Sequence, residues 1–224
     1  MDSITKKCTD SSPINAERMI HDYIVKRVNY KNSDAPYSHE MPGVFLYGIG
    51  VCEGIAKAFK YLCDKVGLPA GVVVGKANGE DMLHAWNQIC INDRWYNIDV
   101  TFDANLSKAA GDVRYDYFNV SDAEMKDRSS LFSGHICKDY YGFYIKEKKY
   151  AKCQSDLKSI INRRRGNIIS VQLPPIKCSS NQLQDYVIKA VSDSLGGYGK
   201  HEISILPNYD TNVFTITIGK IGLF

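Results

Sequence analysis

An α+β fold, with a helix packed on an antiparallel sheet, is predicted by three stretches of this 224-residue chain. Residues 52–66 form a strongly amphipathic helix. Residues 83–91 and 94–102 are strand-like runs on either side of Asn92-Asp93 and read as a hairpin. A strand, a helix and a second hairpin follow one another over residues 166–224, giving a small C-terminal β-α-β-β unit.

The elements follow in chain order. Residues 16–28 are expected as a helix, with Met19, Ile20, Tyr23, Ile24 and Val28 on one side. Residues 29–50 contain proline and glycine and read as a loop. The next helix sets Ile55, Ala56, Phe59, Leu62, Cys63 and Val66 at the i, i+3, i+4, i+7 spacing of one buried face. Gly67 supplies its C-terminal cap and Pro69 forbids continuation. Its start falls at or near Cys52, among Gly48, Gly50 and Gly54, which permit a tight backbone path and close approach by a ligand.

Residues 71–77 read as a valine-rich strand ahead of the hairpin. Ser121 with Glu124 makes a capping-box start for a short helix. Residues 135–150 are tyrosine-rich and strand-like. The run Arg163-Arg164-Arg165 reads as a solvated linker. Residues 168–173 then form a strand ended by Pro174-Pro175, and Ser180 caps a helix that Gly196-Gly197 stops. Residues 202–206 and 212–219 alternate as a hairpin around Asn208-Tyr209-Asp210, with Phe214, Ile216 and Ile218 on one face. The expected domains are residues 14–150 and 166–224. The second is marginal alone by size and is expected to pack on the first.

Composition excludes several classes. Hydrophobic content of 44% and aromatic content of 11% suit a soluble globular protein. A net charge of +3 is too small to imply a nucleic-acid or membrane partner. No apolar stretch approaches the roughly 18 residues that span a bilayer. The first residues lack the apolar core of a signal peptide. The seven cysteines, at 8, 52, 63, 90, 137, 153 and 178, are odd in number and irregular in spacing, which disfavours a disulfide framework. No C-x-x-C or D-x-D-x-D-G motif occurs, so neither a metal nor another cofactor is expected. A reducing, cytoplasmic compartment suits these thiols, with export left open.

Cys52 stands out because it opens a helix. The positive end of the backbone dipole and the unpaired N–H groups there favour thiolate over thiol. The same N–H groups suit an oxyanion. His84, in H-A-W-N, and Asp99, in N-I-D-V-T-F-D, follow in order. With Asn92-Asp93 as a two-residue turn, Ile91 faces Arg94. Counting back, Trp86 faces Asp99 and His84 faces Thr101. His84 and Asp99 then share one polar face as diagonal neighbours, with Trp86, Gln88, Asn97 and Thr101. Asp103 reads as a strand-end cap. Trp86 is a candidate cleft residue. Cys63 and Cys90 read as packing. His21, His135 and His201 have no evident partner.

Four ordered blocks carry a resemblance: V-C-E-G-I-A-K-A-F from Val51, H-A-W-N from His84, W-Y-N-I-D-V-T-F-D from Trp95, and R-Y-D-Y-F-N-V-S-D-A-E-M from Arg114. Residues 39–128 resemble the transglutaminase-like superfamily in its bacterial form. His39 and Gly43 also resemble a pattern upstream of the cysteine. The resemblance implies a papain-like transglutaminase core with Cys52 as nucleophile, His84 as general base and acid, and Asp99 orienting His84. Tyr47 and His39 are upstream candidates for a cleft wall or second oxyanion donor. The implied activity is cysteine-dependent acyl transfer through a thioester, hydrolysing peptide or amide bonds. Protein cross-linking and non-catalytic peptide binding are the alternatives. The expected partner is a peptide or protein substrate, with loops 29–50 and 103–113 shaping the cleft.

Overall fold

The computed structural model describes residues 2–31, 34–77, 83–125, 129–130, 134–197 and 201–220. It divides into two compact units: residues 1–108 with 117–141, and residues 109–116 with 142–224. The architecture is α+β, with antiparallel sheets in both units.

The first unit begins with two helices, α1 (Asp2–Thr9) and α2 (Pro13–Arg27). The first was not expected; its lysines and threonines give no long apolar stripe. Pro13 starts α2, where a missing N–H costs nothing. Strands β1 (Asn29–Tyr30) and β2 (Ile49–Gly50) pair in parallel, and a π-helical turn, Gly43–Tyr47, lies between them. The expected loop 29–50 therefore holds short regular pieces that lead into α3 (Cys52–Lys65).

Helix α3 packs on β3 (Ala70–Lys76) and β4 (Leu83–Ile91). Its Ile55, Ala56, Phe59, Leu62 and Cys63 are buried. Each of the larger of these side chains contributes about 1.5–3 kcal/mol by leaving water. The sheet order is β5-β4-β3-β6, with β5 at Arg94–Ile98 and β6 at Ser129–Ser130. Asn92 and Asp93 both have positive φ, 50° and 62°, as a two-residue turn of type I′ requires. Ile91 pairs with Arg94, the expected register.

The expected strand over residues 94–102 ends early. The β4–β5 ladder stops at Asn87 and Ile98, so Asp99 and Thr101 face no strand partner. Helix α4 (Val100–Ala110) begins instead. Val100, Thr101 and Phe102 have strand-like chemistry, but the preceding Asp99 overrides it. Its Oδ1 accepts the Phe102 N–H at 3.1 Å and its carbonyl accepts the Asp103 N–H at 3.1 Å. That is an N-cap. Residues 103–110 are thus helix, not cleft loop, and Asp103 is no strand-end cap. Its Oδ1 accepts the Tyr117 N–H at 3.1 Å and its Oδ2 lies 3.2 Å from His21 Nε2. His21, with no partner evident in the sequence, is held between Asp103 and Asp22.

Ser121 and Glu124 start no helix. Their side chains bond each other, so neither reaches a backbone N–H, and a single turn results. Residues 135–150 form no strand. Gly142, in the left-handed region at φ 67°, precedes the short helix α5 (Phe143–Lys146) of the second unit.

The second unit adds α6 (Gln154–Asn162), β7 (Ile168–Gln172), α7 (Ser180–Ser194), β8 (His201–Asn208) and β9 (Val213–Lys220). Its sheet runs β7-β9-β8, all antiparallel, and α6 and α7 pack together. Helix α6 was not expected. Ser179, not Ser180, caps α7, in a reciprocal box with Gln182. Phe214, Ile216 and Ile218 are buried in one cluster with Leu157 of α6 and Val187 of α7. Arg114 and Asp116, from the fourth sequence block, form a fully buried ion pair here. Arg114 also donates to Thr215 Oγ1 at 2.8 Å, and Asp116 accepts from Asn208 Nδ2 at 2.9 Å and from the Tyr144 hydroxyl at 2.9 Å. Their charges hold the β8–β9 hairpin in place.

Glu17 in α2 makes the first unit pH-sensitive. It is fully buried, and burial lifts its carboxyl to about 8 against the opposing pull of Asn119 and His21. Asn119 Nδ2 donates to Glu17 Oε2 at 2.7 Å, while Glu17 Oε1 and Asn119 Oδ1 have no partner among the described residues. The folded state therefore holds a proton that the unfolded chain releases, and this group's contribution falls as pH rises from 4.5 to about 8. Glu17→Gln supplies a donor and carries no charge. Chemical denaturation should find the variant more stable than the parent at pH 9, by up to about 5 kcal/mol. The two should converge near pH 4.

Candidate active site

Cys52 is the first residue of α3, after an extended Val51 at φ −95° and ψ 176°. Valine has no side-chain acceptor, so no side chain caps this helix start. Its first N–H groups therefore face no side-chain acceptor at the cap, and that of Glu53 bonds the Cys52 sulfur. The start is fixed from outside: Val51 N–H donates to Ser38 O at 2.9 Å, and a Cβ on Gly54 would lie 2.4 Å from that same carbonyl oxygen. Only glycine lets segment 38–40 lie against the first turn.

His84 is buried in β4, one residue before Ala85. Its Nε2 lies 2.7 Å from Asp99 Oδ2, which leaves Nδ1 toward the Cys52 sulfur, its other hydrogen-bond partner. The imidazole is also held by two rings. Trp86 stacks on it at 6.0 Å between centroids, and Phe102 meets it edge-on at 5.1 Å. The structure thus brings Cys52, His84 and Asp99 into one hydrogen-bonded chain. Sequence parity placed His84 and Asp99 together as strand neighbours; the contact instead runs from a strand to a helix cap.

The electrostatics follow from this chain. Burial raises the Cys52 thiol, but bonding to His84, the backbone N–H groups of Ala85 and Glu53 and the imidazolium charge outweigh it, and the net shift is downward. Burial works against a charged His84, yet the Asp99 carboxylate and the Cys52 sulfur lift it to about 9. Both shifts act in the direction of a thiolate–imidazolium pair. The buried thiols move the other way: burial pushes Cys137 up to about 12 and Cys63 well above its ordinary value.

Residues 2–100 match the sequence profile of the transglutaminase-like superfamily. Among solved structures, the chain is similar to a TGase at 22% identity and a TM-score of 0.38, over 45% of this chain and 31% of the other. A candidate cysteine protease from Cytophaga hutchinsonii gives 21% identity and 0.38, over 45% and 37%. A candidate protease from Parabacteroides distasonis gives 10% identity and 0.33, over 97% and 49%. The chain spans between 31% and 49% of the length of these structures. No curated protein matches the chain.

The remaining candidates fall into two places around Cys52 and His84. Trp86 is buried behind His84, where its Nε1 donates to Asn97 Oδ1 at 3.2 Å. His39 and Tyr47 are exposed. His39 Nδ1 lies 2.9 Å from the carboxylate of Glu53, next to Cys52 in sequence, and Tyr47 stacks on Tyr37 at 5.8 Å. No group of metal-ligating side chains occurs among the described residues. His135 stacks on Trp95 at 3.5 Å, and Gln88 holds its backbone through bonds of 2.8 Å to both N–H and carbonyl.

Two positioning residues escaped the sequence reading. Phe102 falls within the run 94–102 that reads as a strand; the Asp-x-x-Phe spacing of an N-cap and its third helical residue is the signal that locates it. Asn87, the last residue of H-A-W-N, lies on the opposite face of β4 from His84. Its buried Nδ2 donates to Ala56 O and Gly71 O, both at 3.0 Å, which ties α3 to the strand that carries His84.

Iodoacetamide at pH 6 should alkylate Cys52 ahead of the exposed Cys153 and Cys178, read by peptide mass spectrometry. His84→Ala should slow Cys52 by at least about tenfold at that pH. Asn87→Ala should cost about 1–3 kcal/mol of stability, measured by urea unfolding. It should also slow Cys52 alkylation, as α3 loses its tie to β4.

Proposed function

We propose that the first unit is a cysteine-dependent acyl-transfer site that cleaves peptide or amide bonds. The observation that carries this reading is the chain from Cys52 through His84 to Asp99, with a lowered thiol and a raised imidazole. The superfamily match over residues 2–100 supports it. Cys52 is the nucleophile, His84 the acid and base, and Asp99 holds the imidazole in the required tautomer.

The steps balance without a cofactor. The thiolate attacks the carbonyl carbon, a C–S bond forms, and the oxygen takes the negative charge beside the uncapped N–H groups of α3. His84 passes its Nδ1 proton to the leaving nitrogen as the C–N bond breaks, giving a thioester. Neutral His84 then takes a proton from water, whose oxygen attacks the thioester. The C–S bond breaks, the acid departs, and the thiolate–imidazolium pair is restored. An amine in place of water gives a new amide instead.

A peptide library rich in glutamine, incubated with and without a primary amine and read by mass spectrometry, tests this and separates the two outcomes. Cleaved or deamidated peptides that disappear with Cys52→Ala are the expected result. Asp99→Asn should lower turnover by at least about a hundredfold. Saturable peptide binding with no turnover would replace the reading with a non-catalytic binding module.

A further inference from the structure

The second unit carries a basic groove that the thiol chemistry does not use. Its cavity volume, about 430 Å³, is that of a site for a small ligand or a short peptide segment. Lys148, Lys149, Arg163, Arg164 and Arg165 line it, with Glu147 the sole carboxylate among the lining residues. No described carboxylate forms an ion pair with any of these five cations. The lining is apolar at Ile160, Ile168 and Ile169, and Ile160 and Ile169 are buried. The linker expected around the arginine run is instead the exit of α6 and the approach to β7.

Lys148 is the more telling residue. It has φ 56°, in the left-handed region, just past α5. Its N–H donates to Ile145 O at 3.1 Å, and that of Lys149 donates to Tyr144 O at 2.7 Å. These two bonds make the helix-ending motif in which glycine is the usual residue at this position. A lysine there holds a costly backbone conformation that glycine would adopt freely. Its side chain is exposed, so it gives no core packing in return. Two of the arginines also serve the end of α6, through Arg163 Nε to Ser159 O at 3.2 Å and Arg164 Nη1 to Ile161 O at 3.0 Å. Each leaves most of its guanidinium donors free for a ligand. Arg165 has no such bond among the described residues and is exposed.

We propose that this groove binds an acidic peptide segment that carries an apolar side chain. Guanidinium forks match carboxylates, and lysines add point charge. The isoleucines suit an apolar side chain set among acidic ones, an element that a bare phosphate lacks. Single-stranded nucleic acid is disfavoured because no aromatic ring lines the groove for base stacking. Glu147 further penalises a uniformly dense polyanion. This site is independent of the reading of Cys52.

Fluorescence anisotropy of the full chain with a labelled peptide of alternating glutamate and leucine tests the proposal. Binding should be saturable and salt-sensitive, and should be lost when glutamine replaces glutamate. Arg165→Ala should weaken it about tenfold. Lys148→Gly should also weaken it while raising or preserving the melting temperature, a combination that a purely structural lysine would not give. Equal affinity of both variants and the parent would overturn the proposal. So would tighter binding of inorganic polyphosphate or of a single-stranded oligonucleotide than of the peptide, or equal binding of the glutamine peptide.

Discussion

One carboxylate, that of Asp99, joins the backbone path of the first unit to its chemistry. Oδ1 accepts the Phe102 N–H and so starts α4, while Oδ2 lies 2.7 Å from His84. The residue is fully buried, and its own N–H donates to Tyr117 O at 3.1 Å. A capping residue cannot rotate without freeing a helix N–H, so the cap fixes the oxygen that meets the imidazole. The same helix start brings Phe102 against the ring. Fold and site share one turn of chain.

The rest of the first unit keeps this arrangement in register. Asn87 ties α3 to β4 on one face of the strand. On the other face Trp86 and Gln88 both donate to Asn97 Oδ1, and Asn97 Nδ2 donates to Asp122 Oδ1 at 2.8 Å. Burial penalises every one of these polar groups unless it is paired. Meeting that condition sets the positions of β4, β5 and segment 134–137 around His84. The start of α3 is the exception: no side chain caps it, and its Glu53 N–H bonds the Cys52 sulfur.

Much of this was legible in the sequence. Helix α3 was readable because Phe59 and Leu62 recur at helical spacing and Gly67 stops the run. The β4–β5 register was readable because Asn92-Asp93 permits one tight turn. The same parity led past Ile98, where Val100, Thr101 and Phe102 continue a strand-like alternation. Local preference lost there to a cap whose energetic value depends on burial, which sequence spacing does not display. Asn87 was hidden for a related reason, since its partners are backbone carbonyls of elements distant in sequence. The tyrosines of residues 135–150 have strand chemistry, but Gly142, in the left-handed region, starts a helix there. The Arg163–Arg165 run was read alone; folding places Lys148 and Lys149 beside it.

The central claim is that Asp99 and Cys52 together keep His84 charged at neutral pH. Nitrogen-15 NMR of the His84 imidazole, followed from pH 5 to 10, measures this directly. Both ring nitrogens should be protonated at pH 7, with titration near 9 in the parent and markedly lower in Asp99→Asn. A neutral His84 at pH 7, or a titration that Asp99→Asn leaves unmoved, would contradict the account.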